Sequence, residues 1–151
     1  MKIARLFTRR IMATTRSAPL AEAAAAMRRF EVGSLLVMED PPAIGPPVGI
    51  VTDRDIALQG FASESYAVGS VMTPVIATVP EEADIHEALE LMRAHGVRRL
   101  VVTSHDGGLR GILSIDDIVD GLSADLAAAA AVLKGEIRRD AAGLGQVKVG
   151  G

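Results

Sequence analysis

The sequence predicts an α/β (α+β) fold: two copies of a β-α-β-β-α unit packed with pseudo-twofold symmetry, followed by a C-terminal helix. Three observations carry this prediction. First, the chain repeats itself: Ile3-Ala4-Arg5-Leu6-Phe7-Thr8 returns as Val68-Gly69-Ser70-Val71-Met72-Thr73. At the same offset of 65, Leu20 pairs with Ile85, Met27 with Met92, Val32 with Val97 and Leu35 with Leu100. Self-similarity of this kind marks a duplicated supersecondary unit. Second, each copy alternates short β-branched runs with apolar residues at helical spacing. Third, 49% of the 151 residues are hydrophobic with no Trp, which suits aliphatic helices packed on short buried strands.

The elements follow in order within each copy. A short apolar segment, Ile11-Met12-Ala13 or Val75-Ile76-Ala77, leads through turn residues into a helix. In the first copy Leu20, Ala23, Ala24, Met27 and Phe30 form the buried stripe of that helix. In the second, Asp84 precedes the helix with Glu87 three residues on, a capping-box pattern. Ile85, Ala88, Leu89 and Met92 give its apolar face, and Gly96 ends it after His95. The runs Leu35-Leu36-Val37-Met38 and Leu100-Val101-Val102-Thr103 are too short and too β-branched for helices and read as strands. Further strands fall at Val48-Gly49-Ile50-Val51 and Leu109-Arg110-Gly111-Ile112-Leu113, the latter after the hairpin loop Ser104-His105-Asp106-Gly107-Gly108. Past residue 38 the offset falls to 62, so the first copy carries three extra residues near its Pro/Gly loop at 41–47. An indel confined to a surface loop is what duplication predicts.

Each unit then reaches a polar turn. Gly49-Ile50-Val51-Thr52-Asp53-Arg54-Asp55 returns as Gly111-Ile112-Leu113-Ser114-Ile115-Asp116-Asp117. A hydroxyl followed three residues later by a carboxylate is a helix-capping arrangement. Its duplication also predicts two copies of a binding corner, and the two roles are compatible. Beyond Gly121, Ser123 reads as the N-cap of a separate helix carrying Leu122, Leu126, Ala129, Leu133 and Ile137 on one face, with Lys134, Arg138 and Arg139 at its C-terminal end. The expected boundaries are 3–62 and 63–122 for the repeats, 123–140 for the helix and 141–151 for a frayed tail.

Composition narrows the functional classes. A formal net charge of -3 and few aromatics argue against a nucleic-acid partner. Without Cys there is neither a disulfide framework nor a thiolate metal site, consistent with a reducing, cytoplasmic setting. Arginines interrupt every apolar run of the basic N-terminus, which removes a signal-peptide core, and no run reaches the length of a membrane span. His86 and Glu90 share a helix face without a second histidine nearby, so no metal site is expected. Neither a Ser-His-Asp order nor a nucleophile elbow is visible, so no catalytic residues are expected.

Two β-α-β-β-α units, the linker Val68-Gly69-Ser70-Val71-Met72-Thr73-Pro74 and the repeated Gly-hydrophobic-x-Ser/Thr-x-x-Asp element together resemble a tandem pair of CBS domains (a Bateman module) over residues 3–122. The chain departs from the family where many members read Leu-Pro-Val: it has Leu35-Leu36-Val37 and Leu100-Val101-Val102. The resemblance implies a stand-alone regulatory or sensor module without catalytic activity. Its ligand would be an adenine nucleotide, AMP, ADP or ATP, with NAD or S-adenosylmethionine as alternatives, held in clefts between the repeats. By position, Asp55 and Asp117 would accept hydrogen bonds from ribose hydroxyls, and Thr52 and Ser114 would contact ribose or phosphate. Asp53, Arg54 and Asp116 belong to the same turns. Ile11, Met12, Ala13, Ile76, Ala77 and Thr78 would hold the adenine, and Arg54 with Arg98 or Arg99 from the facing strand would supply positive charge. The physics agrees: a carboxylate accepts from both hydroxyls of a ribose diol, and the unpaired N–H groups of a helix start suit phosphate oxygens. The expected partners are an unidentified target protein and, through the C-terminal helix, a second copy in a homodimer, with no nucleic acid and no membrane. A ligand-free protein–protein interaction module of the same fold is the alternative; a nucleotide hydrolase and a nucleic-acid-binding regulator rank behind it.

Overall fold

The repeat resolves into two small sheets, each backed by the long helix of its own copy. A computed structural model describes residues 1–40, 46–59, 66–74 and 77–141. In chain order the elements are a 3₁₀ turn (Ile3–Arg5), β1 (Ala13–Thr15), α1 (Leu20–Phe30), β2 (Ser34–Met38), β3 (Gly49–Thr52) and α2 (Asp53–Gln59). The second half follows with α3 (Val68–Val71), β4 (Thr73–Pro74), β5 (Thr78–Pro80), α4 (Ile85–His95), β6 (Arg99–Thr103), β7 (Leu109–Ser114) and α5 (Ile115–Ala141). One sheet runs β1-β2-β3-β4 and the other β5-β6-β7, with β1·β2 and β5·β6 parallel and the other pairs antiparallel. The predicted mixed fold of two β-α-β-β-α units is therefore present.

The central strands are apolar on both sides because both sides are covered. In β2, Leu35 and Val37 face the core of the first repeat, with Ala23, Met27 and Val51. Leu36, between them, points the other way and meets Ile50 and Val101. In β6, Leu100 and Val102 face the second core and Val101 the shared interface. The interface is thus built from equivalent residues, Leu36 with Val101 and Ile50 with Ile112. The backbone N–H of Leu36 donates to the Met12 carbonyl at 3.0 Å and that of Val101 to Ala77 at 3.5 Å. A proline at either place would forfeit that bond.

Each repeat also borrows its opening segment from the other. The 3₁₀ turn at Ile3 and the ring of Phe7 pack into the second core, whereas Val68 of α3 packs into the first. The exchange is symmetric in its hydrogen bonds: Ile3 N–H donates to Ala83 at 3.1 Å and Val68 N–H to Ala18 at 2.8 Å. Thr8 bridges Ile112 of β7 just as Thr73 of β4 bridges Ile50 of β3.

Two local expectations are corrected. The opening strands lie two residues later in the first copy and three in the second than the apolar segments suggest. Met12 is packed on the first core and Ile11 on the interface, so the pleated positions pass to Ala13, Thr14 and Thr15. At the other end, no helix starts at Ser123; α5 runs unbroken through Gly121. A Cβ at Gly121 would overlap the Leu6 side chain, so this glycine serves a close approach rather than a stop. The tail at 143–151 and the loop at 41–45 lie outside the described residues.

Candidate functional site

The two polar turns close as reciprocal capping boxes. At the start of α2, Thr52 N–H donates to Asp55 Oδ2 at 2.9 Å, and Asp55 N–H donates to Thr52 Oγ1 at 3.1 Å. At the start of α5, Ser114 N–H and Oγ–H donate to Asp117 Oδ2 at 2.8 and 2.7 Å, and Asp117 N–H donates to Ser114 Oγ at 3.1 Å. Each box is tied to the strand next to it: Asp53 N–H donates to the Gly33 carbonyl at 3.0 Å and Ile115 N–H to Arg98 at 2.9 Å. All the bonds to the two carboxylates fall on Oδ2, and among the described residues no donor reaches Oδ1 of either. Asp55 and Asp117 are half-buried, so each presents one unengaged acceptor at a partly desolvated corner.

Beside each box lies a cleft, and the two clefts are related by the repeat. The first, about 320 Å³, is bounded by Thr8, Arg10, Ile11 and Met12, by residues 31–34 at the end of α1, and by Arg99, Ile112, Ser114 and Asp117. The second, about 230 Å³, has Thr73, residues 96–99, Ile50 and Thr52. Thr8 corresponds to Thr73, Val32 to Val97, Ile112 to Ile50 and Ser114 to Thr52. Both clefts draw walls from both repeats, because the exchanged opening segments pass over them.

The first cleft is mixed in charge, with Arg10 and Arg99 against Glu31 and Asp117. Arg99 also borders the second cleft, next to Arg98. Arg99 is half-buried as a residue and makes no ion pair among the described residues. Arg98 lies 3.8 Å from Asp116, but both side chains are more than two-thirds exposed (70% and 73%), so the pair contributes little.

The predicted residues therefore divide. Ile11, Met12, Arg99, Ser114 and Asp117 meet in the first cleft, and Thr52, Arg98 and Arg99 in the second, with Asp55 locked behind Thr52. Asp53, Arg54 and Asp116 are exposed and border neither cleft. Ala13 is exposed on β1, Ala77 packs on the second core, and Thr78 borders a separate apolar crevice with Pro46 and Pro47. Ile76 lies outside the described residues. Sequence reasoning missed Thr8, Thr73 and Glu31. The pairing of Thr8 with Thr73 in the repeat was the available signal. Among the described residues no group of three or more His, Asp or Glu side chains is placed to hold a metal ion, and no helix is long and apolar enough to cross a membrane.

Comparison with known proteins gives the same outline. The CBS domain family model matches residues 3–59 and 68–124. An uncharacterized protein of Methanopyrus kandleri is 31% identical over 102 residues, covering 65% of this chain and 50% of that protein. The chain thus spans about half the length of that relative. Inosine-5'-monophosphate dehydrogenase of Thermoplasma acidophilum is 31% identical over 101 residues, 67% of this chain and only 19% of the enzyme. Among solved structures, a CBS domain protein from Pyrobaculum aerophilum complexed with AMP superposes with a TM-score of 0.63 at 28% identity, covering 78% of this chain and 89% of that one.

Proposed function

Because the chain belongs to the CBS-domain family and carries the domain twice, we propose that it is a regulatory sensor of adenine nucleotides, without catalytic turnover, that works as a homodimer on a target protein in the cytoplasm. One observation carries the reading: two repeat-related clefts, each walled by both repeats and cornered by a capping hydroxyl, the first also by the half-buried carboxylate of Asp117. The unengaged Oδ1 of Asp117 suits a ribose hydroxyl, and Arg10 and Arg99 suit a phosphate. The AMP complex of the Pyrobaculum aerophilum relative supports AMP, ADP or ATP ahead of NAD or S-adenosylmethionine.

The mechanism is linkage. A ligand in the first cleft touches the Thr8–Met12 segment, the end of α1 and the start of α5 at once. It therefore favours whichever arrangement of the repeats brings these walls together, and any target that distinguishes the arrangements reads the ligand. At a concentration of about 100 Kd, binding adds about 2.7 kcal/mol of stability, roughly 5–10 °C in Tm for a chain of this size. Thermal unfolding with each of the five ligands tests this; a shift of that order with at least one is expected, and no shift with any overturns it.

The alternative, a ligand-free docking module, has an observation of its own. The capping boxes satisfy the hydroxyls and the Oδ2 atoms without any ligand. That reading predicts no nucleotide dependence of stability. Incubation with ATP and Mg²⁺ tests the absence of turnover; steady phosphate release contradicts it.

A further inference from the structure

Helix α5 continues well beyond the body of the molecule. From residue 122 to 135 every side chain is exposed, including Leu126 at 72% and Leu133 at 61%. A helix without tertiary cover is marginal in water, so a 27-residue helix with large exposed aliphatic groups calls for a partner surface. Val119, Leu122, Leu126, Ala129 and Leu133 follow one another at alternating spacings of three and four. That is the a/d pattern of a two-helix seam, narrower than the stripe a helix lays on a globular core.

The charges and the sizes along the seam select the occupant. Residues 115–126 carry Asp116, Asp117, Asp120 and Asp125 and no base, while residues 127–139 carry Lys134, Arg138 and Arg139 against Glu136. Two copies laid antiparallel place the acidic start of one helix over the basic end of the other; a parallel pair sets acid against acid. The antiparallel register also packs Leu122 on the partner's Leu133 and Leu126 on the partner's Ala129, large on small. In a parallel pair Ala129 would face the partner's Ala129 and leave a void.

We propose that residues 122–133 of α5 form an antiparallel two-helix seam with the same residues of a second copy. The proposal deepens the homodimer reading above and is independent of the ligand. The chain has no Cys, so Ser123→Cys and Ala130→Cys can be introduced singly into the full chain. Both flank the seam and lie opposite each other only in the antiparallel register. Mixed and oxidised, the two variants should cross-link to each other. Ser123→Cys alone should not, because its copies sit about nine residues, roughly 13 Å, apart along the axis, beyond disulfide reach. Sedimentation equilibrium of the unmodified chain should give twice the 15.8 kDa mass. Leu126→Asp with Leu133→Asp should halve it and leave the AMP-induced thermal shift unchanged, since both side chains are exposed in the single chain. A dimer that survives the double substitution, or a mixed sample that does not cross-link, overturns the seam while leaving the homodimer standing. A monomeric unmodified chain overturns both, and a loss of the AMP shift alone concerns the sensor reading only.

Discussion

Asp117 holds two positions at once, and the substitutions that separate them define the residue-scale tests. Its Oδ2 caps α5, its Oδ1 meets no donor among the described residues, and the residue lines the first cleft. Asp117→Asn keeps an oxygen acceptor for Ser114 but removes the charge, so it should retain most of the folding stability while weakening nucleotide binding roughly tenfold or more. Ser114→Ala removes a cap as well as a cleft hydroxyl, and should cost about 1 kcal/mol of stability in denaturant unfolding through the lost cap. Glu31 makes a separate case. It ends α1 in the left-handed conformation (φ 54°), where the equivalent residue of α4 is Gly96 (φ 62°). Glu31→Gly should therefore stabilise the chain by roughly 0.5–1 kcal/mol, the left-handed cost being partly offset by the freer unfolded chain. Acid sensitivity belongs to Asp84. The Glu87 N–H, then the His86 N–H, holds its carboxyl below the ordinary value of 3.8. A lowered folded-state pKa gives stability that is fully present above the unfolded value and lost as pH falls through the folded one. Asp84→Asn should thus be less stable than the parent at neutral pH, and the difference should shrink below about pH 4, as acid-titrated thermal unfolding would show.

At the scale of elements, glycines decide where segments approach closely. Gly49 and Gly111 lie beneath the exchanged opening segments: a Cβ at Gly111 would overlap the Phe7 ring and the Thr8 carbonyl, and one at Gly49 would overlap Met72. Gly111→Ala should cost roughly 1–3 kcal/mol by overpacking, measurable as a fall in the midpoint of urea unfolding. The same logic explains what the sequence concealed. Helical stripes, the turn at Gly96 and the doubly buried runs at 35–37 and 100–102 were legible because local spacing determines them. Gly121 looked like a helix stop because its purpose, contact with Leu6, lies more than a hundred residues away in the chain. The start of β1 was misplaced for a similar reason. Ile11 and Met12 carry the hydrophobic signal, but it answers to the interface and the core rather than to strand pairing.

For the whole molecule, the consequence of the duplication is exchange: each repeat is completed by the segment that opens the other. The candidate site was half legible for that reason. Thr52, Asp55, Ser114 and Asp117 could be found by comparing the two polar turns. Thr8 and Thr73 arrive from segments whose position depends on the opposite repeat. The exchange also makes each cleft a joint between repeats, which is what a ligand must bridge to bias their arrangement. The long α5 begins at the first cleft, at Ser114 and Asp117, and leads outward to the proposed seam. The proposed ligand contact and the proposed dimer contact thus lie on one continuous helix.

The central claim is that an adenine nucleotide occupies the joint cornered by Asp117. Isothermal titration of the full chain with AMP tests it most directly. Saturable binding to no more than two sites per chain is predicted, weakened tenfold or more by Asp117→Asn and unchanged by Asp125→Asn, an exposed acid outside both clefts. Binding that is indifferent to Asp117→Asn, or no binding of AMP, ADP, ATP, NAD or S-adenosylmethionine at millimolar concentration, would contradict it.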